Sequence, residues 1–238
     1  MVSHHAVSRA GTMVSMLHDM ISRFPSKIIT CLKHNKSKKP LLIFFILGPP
    51  GAGKETHSKR LRRDFPGLTH LSYGDMLRYQ ASIPASWVNM FPRRGGNVDG
   101  DPVLPAADAV RLLRETIESG AARGQRMWLI DGFPRSKEHM DAWTEARMPQ
   151  PTRTFFLECN DLVLRDRILS RAVTSGRPDD ADPEKVHERI GRNMKANRAM
   201  LQALGDCGVP VIRIETNRDL DTVYQDIRAH FRKSIERE

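Results

Sequence analysis

Seven apolar residues, Leu41-Leu42-Ile43-Phe44-Phe45-Ile46-Leu47, run without alternation, and the turn Gly48-Pro49-Pro50-Gly51-Ala52-Gly53-Lys54 follows at once. An unbroken apolar run of this length reads as a strand buried on both faces. Such strands belong to parallel sheets, so the run already favours an α/β fold over an antiparallel one. The turn has the strand–loop–helix setting of a phosphate-binding loop. Glycines let the backbone curl and aim successive N–H groups at an anion. The following helix adds its positive end, and Lys54 adds a movable charge. The spacing Gly48-x4-Gly53-Lys54 fits, but Glu55 stands where Ser or Thr usually holds magnesium, with a hydroxyl one residue later at Thr56.

The remaining chain alternates between further strands and helices. Short apolar strands are expected at Thr69–Leu71, Met127–Ile130, Thr154–Leu157 and Val209–Ile214. Helices are expected from Gly53 to about Phe65, from Ser72 through Arg78, from Pro105, from about Ser136 to Arg147, after Asp161 as cap, from Pro183, and at the C-terminal end. Their expected inner stripes include Val110, Leu113 and Ile117; Leu164, Ile168 and Leu169; Val186, Ile190, Met194 and Leu201; and Leu220, Val223, Ile227 and Phe231. Pro210 places the last strand at an edge or sits at its start. Residues 83–101 hold two prolines and three glycines and read as an inserted lobe or flap. Strand–helix alternation demands right-handed crossovers and a mostly parallel sheet. Ligands then gather at the carboxyl ends of the strands, where the phosphate loop, Ser72–Arg78 and Asp131–Arg135 all fall.

Composition narrows the class. The chain has 238 residues, 39% hydrophobic and 28% charged, enough for one sizeable core. No apolar run approaches the roughly 18–20 residues that span a bilayer. Cys31, Cys159 and Cys207 form no CxxC pair, which argues against a zinc site or a disulfide framework and fits a reducing compartment. The net charge of +10 is uneven. Residues 1–40 carry seven basic residues against Asp19, so this extension holds more than half of it. Met13, Met16, Leu17, Met20, Ile21 and Phe24 recur there at helical spacing. The segment is similar to an organelle transit peptide; the alternatives are an arm touching a membrane surface or nucleic acid, and an extension with no address. A cytoplasmic location is the expectation, with a mitochondrial one as its alternative.

Four segments in order, Gly48–Lys54, Gly74-Asp75-Met76-Leu77-Arg78, Asp131-Gly132-Phe133-Pro134-Arg135, and Ser175-Gly176-Arg177 with Asp179-Asp180, resemble the adenylate kinase / uridylate–cytidylate kinase family of nucleoside monophosphate kinases. The resemblance covers roughly residues 41–235. It implies a P-loop three-layer α/β/α domain over residues 41–238, with a five-stranded parallel sheet. It also implies a small monophosphate-binding lobe at about 72–104 and a short lid at about 173–183. The implied reaction moves the γ-phosphoryl of ATP to AMP, UMP or CMP with magnesium, in a monomer whose partners are ATP and the monophosphate.

The same resemblance assigns roles. Gly51, Ala52, Gly53, Lys54, Glu55 and Thr56 would hold ATP phosphates, with Arg167, Arg171, Thr216 and Arg218 completing the ATP site. Tyr73, Arg78, Pro102, Val103, Leu104, Gly132, Phe133, Pro134, Arg135 and His139 would line the acceptor, joined by Arg177 and Arg189. Lys54, Arg135, Arg171, Arg177 and Arg189 are the implied catalytic groups. Asp131 and Asp75 are the implied magnesium residues, acting through water. Arginine suits this work because its planar fork binds phosphate oxygens in pairs. The sequence departs from the family at Tyr73, usually Thr or a small residue, and at His139, usually Gln or Asn. Glu55 motivates a second reading, a nucleotide-binding module with weak or lost catalysis. A carboxylate in a phosphate cradle repels its ligand unless it swings out or pairs with a cation.

Overall fold

The computed structural model describes residues 40–93, 101–175 and 182–237. The expectations for the basic extension, for Arg177 and for the lid loop lie outside these residues, as does the glycine-rich part of the 83–101 stretch.

Five strands form one parallel sheet. They are β1 (Leu42–Leu47), β2 (Leu68–Ser72), β3 (Met127–Asp131), β4 (Arg153–Glu158) and β5 (Val211–Glu215), in the order β2-β3-β1-β4-β5. The chain leaves β1 at the centre, builds outward to β2, returns through β3, and then crosses to β4 and β5. Among the described residues seven helices cover the faces: α1 (Lys54–Asp64), α2 (Tyr73–Ser82), α3 (Ala106–Ala122), α4 (Lys137–Glu145), α5 (Asp161–Ser175), α6 (Pro183–Asp206) and α7 (Leu220–Ile235). Alternate residues of β1 feed opposite cores. Ile43, Phe45 and Leu47 pack with α2, α3 and α4, while Phe44 and Ile46 pack with α1, α5 and α7. Each fully buried Phe stabilises the fold by about 2–3 kcal/mol, so β1 alone anchors both layers. Among the described residues no helix is long and apolar enough to cross a membrane.

Strand ends are level where it matters. Ile46 pairs with Asp131, and Ser72 pairs with Asp131 from the other side. The loops after β1, β2 and β3 therefore open on one edge.

Several expectations need correction. Asn160, not Asp161, caps α5: its Oδ1 accepts from the Leu162 N–H at 2.9 Å and its carbonyl accepts from Leu164. Met194 is exposed rather than inward. The 24-residue helix α6 gives Val186 and Ile190 to one core and Met200 and Leu204 to the other, so its apolar stripe breaks between them. Leu220 begins α7 in its first turn and is half exposed; the stripe starts at Val223. The stretch after α2 is not a free flap either. Trp87–Met90 form a 3-10 turn whose Val88 is fully buried, with Trp87 and Phe91 packed on the same core.

Candidate active site

The loop after β1 takes its shape from close approach. Gly48 has φ 141°, and a Cβ there would lie 2.5 Å from the Leu157 carbonyl oxygen on β4. Gly51 and Gly53 also have positive φ, 84° and 88°. Only glycine meets both demands at position 48, which is why the turn can hug the sheet. Lys54 opens α1 and folds back over the loop. Its Nζ donates to the carbonyls of Gly48 at 2.8 Å and Pro49 at 3.0 Å. Glu55 does not enter the cradle. It points outward, pairs with Lys59 one turn on at 2.6 Å, and is more than half exposed. Both escapes from like-charge repulsion are thus present. Thr56 is exposed as well.

One turn after Lys54, His57 is buried beneath the loop, its ring beside Gly53 and parallel to Tyr224. Burial, then the charges of Arg60 and Arg167, push its pKa down to about 4, so the ring is neutral at pH 7. Sequence reading missed it, although a histidine one helical turn past the lysine was the available signal.

The loops after β4 and β5 are knitted together around Arg167 on α5. Arg167 Nη2 donates to the Thr216 carbonyl at 2.8 Å, and Nη1 lies 3.6 Å from Cys159 Sγ. Thr216 is buried and donates through N and Oγ1 to the Glu158 carbonyl. Asn217 accepts from the Asn160 N–H at 2.8 Å. Arg218 turns away, bonding the Glu215 carbonyl and pairing with Asp226 at 2.7 Å. Arg171, one turn beyond Arg167, and Arg189 on α6 are half-buried on neighbouring helices.

Across the crevice, two guanidiniums converge beside Gly74. A Cβ at that glycine would lie 3.3 Å from Arg78 Nη1 and 3.6 Å from Arg135 Nη2. Arg78 also pairs with Asp75, one turn earlier on α2, and with Asp101 at 3.2 Å. Asp75 therefore orients Arg78 along the same helix. Asp101, just before Pro102, is a second residue that sequence reading passed over.

Arg135 is held in place from several directions. Its Nε donates to the Gly132 carbonyl at 3.0 Å, and its guanidinium carbon lies 4.7 Å from the centre of the Tyr73 ring. Its backbone N–H donates to His139 Nδ1 at 2.9 Å, so the His139 proton sits on Nε2. Burial, then the Arg135 charge, lower the His139 pKa to about 4. Tyr73 and Phe133 are buried; with His139 they form an aromatic support under Arg135. Pro102 and Leu104 are buried nearby in sequence, while Val103 is partly exposed.

Asp131 ends β3 next to β1, buried, with His70 Nε2 at 3.9 Å from its carboxylate. No cage of three or more His, Cys, Asp or Glu side chains forms among the described residues. Magnesium takes one or two carboxylates and keeps its waters, so a lone acid at a strand end beside a phosphate loop suits it. Asp75, engaged with Arg78, suits it less.

A parallel sheet ordered in this way, with a phosphate loop after its central strand and helices on both faces, is the P-loop kinase fold. The family model described as adenylate kinase matches residues 46–207. Curated relatives include the UMP-CMP kinase of Rattus norvegicus, 32% identical over 199 residues, which cover 82% of this chain and 98% of that protein. The UMP-CMP kinase of Homo sapiens is 31% identical with the same coverage, and the uridylate kinase of Saccharomyces cerevisiae is 28% identical over 193 residues, 81% and 92% of the two chains. The chain belongs to the adenylate kinase family and is a phosphotransferase of the nucleoside monophosphate kinase class.

Proposed function

We propose that the protein transfers the γ-phosphoryl group of ATP to UMP or CMP, giving two nucleoside diphosphates. The observation that carries this reading is the pairing of a backbone phosphate cradle after β1 with two guanidiniums that converge beside Gly74 at the ends of β2 and β3. The choice of a pyrimidine acceptor over AMP rests on relatives named UMP-CMP kinase along nearly their whole length.

Phosphoryl transfer asks for position and charge neutralisation more than for covalent chemistry. The cradle of Gly51, Ala52 and Gly53 with Lys54 holds the phosphates of ATP, and Arg167 with the Thr216 backbone holds the adenine end. Arg78 and Arg135 bind the acceptor phosphate from the other side. Arg171, Arg189 and Arg177 meet the charge that spreads over the group in transit. Asp131 would hold magnesium through water, and the ion would supply positive charge to offset that of the phosphates. No general base is required, because the acceptor is already a phosphate anion.

A coupled assay with ATP and magnesium across UMP, CMP, AMP and their deoxy forms tests the proposal. UMP or CMP is expected to give the highest kcat/KM. A preference for AMP overturns the acceptor assignment, and turnover of none of them overturns the reaction. The module reading, with catalysis lost through Glu55, is disfavoured by that residue's outward turn to Lys59.

A further inference from the structure

We propose that Asp101 is an internal competitor for the acceptor phosphate at Arg78, and that it sets how weakly the acceptor binds. The proposal rests on the reading of Arg78 as an acceptor-phosphate residue. Two carboxylates engage this one guanidinium, but they are not equivalent. Asp75 lies one turn away on the same helix, so it moves with Arg78 and orients it. It also stands in the first turn of α2, where the helix dipole favours an acid. Asp101 comes from a different segment. Its position is fixed independently by the Arg93–Pro102 bridge and by the Val103 N–H donating to the Pro92 carbonyl at 2.9 Å.

Asp75 holds Nη2, and Asp101 engages Nη1, which would lie 3.3 Å from a Cβ at Gly74, with Arg135 Nη2 3.6 Å from the same point. An acceptor phosphate bridging the two arginines must share or take that Arg78 nitrogen. A dianion approaching a fixed carboxylate meets like charge at short range. The side chain of Asp101 is 25% exposed against 41% for Asp75, so water screens Asp101 less. The contact of Arg78 with the acceptor phosphate is the same before and during transfer. Competition for it weakens both states equally and appears in KM, not kcat.

The test is Asp101→Asn, which keeps size and shape, measured with ATP, magnesium and UMP or CMP. The acceptor KM is expected to fall about fivefold, with kcat and the ATP KM unchanged. An acceptor KM that stays or rises, or a kcat that falls, overturns the proposal and makes Asp101 an orienting group instead. The same substitution in an Arg78→Ala background separates the two layers of the argument. Arg78→Ala alone should raise the acceptor KM; if it does not, the reading of Arg78 is what fails. Once Arg78 is gone, Asp101→Asn should no longer matter. An equal fall in KM in that background means general repulsion and refutes competition at Arg78. Asp101→Ser, with a melting curve for each variant, guards against a folding defect.

Discussion

The two halves of the crevice are built from different materials. On the phosphoryl-donor side the shape is made by backbone: positive-φ glycines, a close approach to the Leu157 carbonyl, and a lysine bonded to carbonyls of its own loop. On the acceptor side the shape is made by side chains leaning on one another: Arg135 on Tyr73, His139 under the Arg135 backbone, Arg78 between Asp75 and Asp101. A backbone cradle binds phosphate whatever side chains surround it. A side-chain cradle can be retuned by one substitution. A single side-chain change therefore retunes the acceptor half more readily than the donor half.

The comparison can be broken most sharply at Lys54. Lys54→Met should lower kcat about a thousandfold with ATP and a pyrimidine monophosphate, because it removes a charge the backbone cannot replace. Retained cooperative melting would confine the loss to the site. On the other side, Arg135→Lys should cost about ten- to a hundredfold in kcat/KM despite keeping the charge. An ammonium cannot hold the Gly132 carbonyl through Nε and stack on Tyr73 at once. If the lysine variant works as well as wild type, the aromatic support is mere packing.

Each half also hides one neutral histidine, and pH sharpens the contrast. His57 and His139 have pKa values near 4, below their ordinary value of 6.5. Between about pH 6.5 and 4 the unfolded chain takes up protons that the fold refuses. Stability is therefore fully present above that window and is lost as pH falls through it. Urea midpoints at pH 7 and 4.5 should show the loss, and His57→Gln or His139→Gln should each reduce it. A variant that leaves the pH dependence intact shows that its histidine is not the buried neutral group described.

The smallest effect is expected at Glu55. Glu55→Gln removes only an exposed pair with Lys59, about 0.3–0.5 kcal/mol, and turnover should stay within about twofold. A large rise in kcat instead would mean that the carboxylate does reach the donor phosphates.

Much of this was legible in the sequence for one reason: a buried parallel strand announces its end. The run to Leu47 and the run to Ile130 located the phosphate loop and Asp131–Arg135, and parallel topology brought them together. What was not legible depended on packing between segments distant in the chain. Met194 keeps the helical period of Ile190, but α6 passes from one core to the other, and no local pattern records that change. Tyr73 and His139 stood out as departures from the family. That they meet beneath Arg135 follows only from the register that places Ser72 beside Asp131. The orientation of Glu55 depended on Lys59, which was visible four residues on but not decisive until the helix was in place.

The bonds from Lys54 to the Gly48 and Pro49 carbonyls make the loop a closed ring, joined by a side chain across six and five residues. A ring has a circumference. Pro50, which is not buried, can vary in kind more readily than residues 48–54 can vary in number. One added or deleted residue would leave the ammonium facing the wrong carbonyls and Gly48 out of step with Leu157. In this stretch of the chain it is length, more than identity, that natural variation is least free to alter.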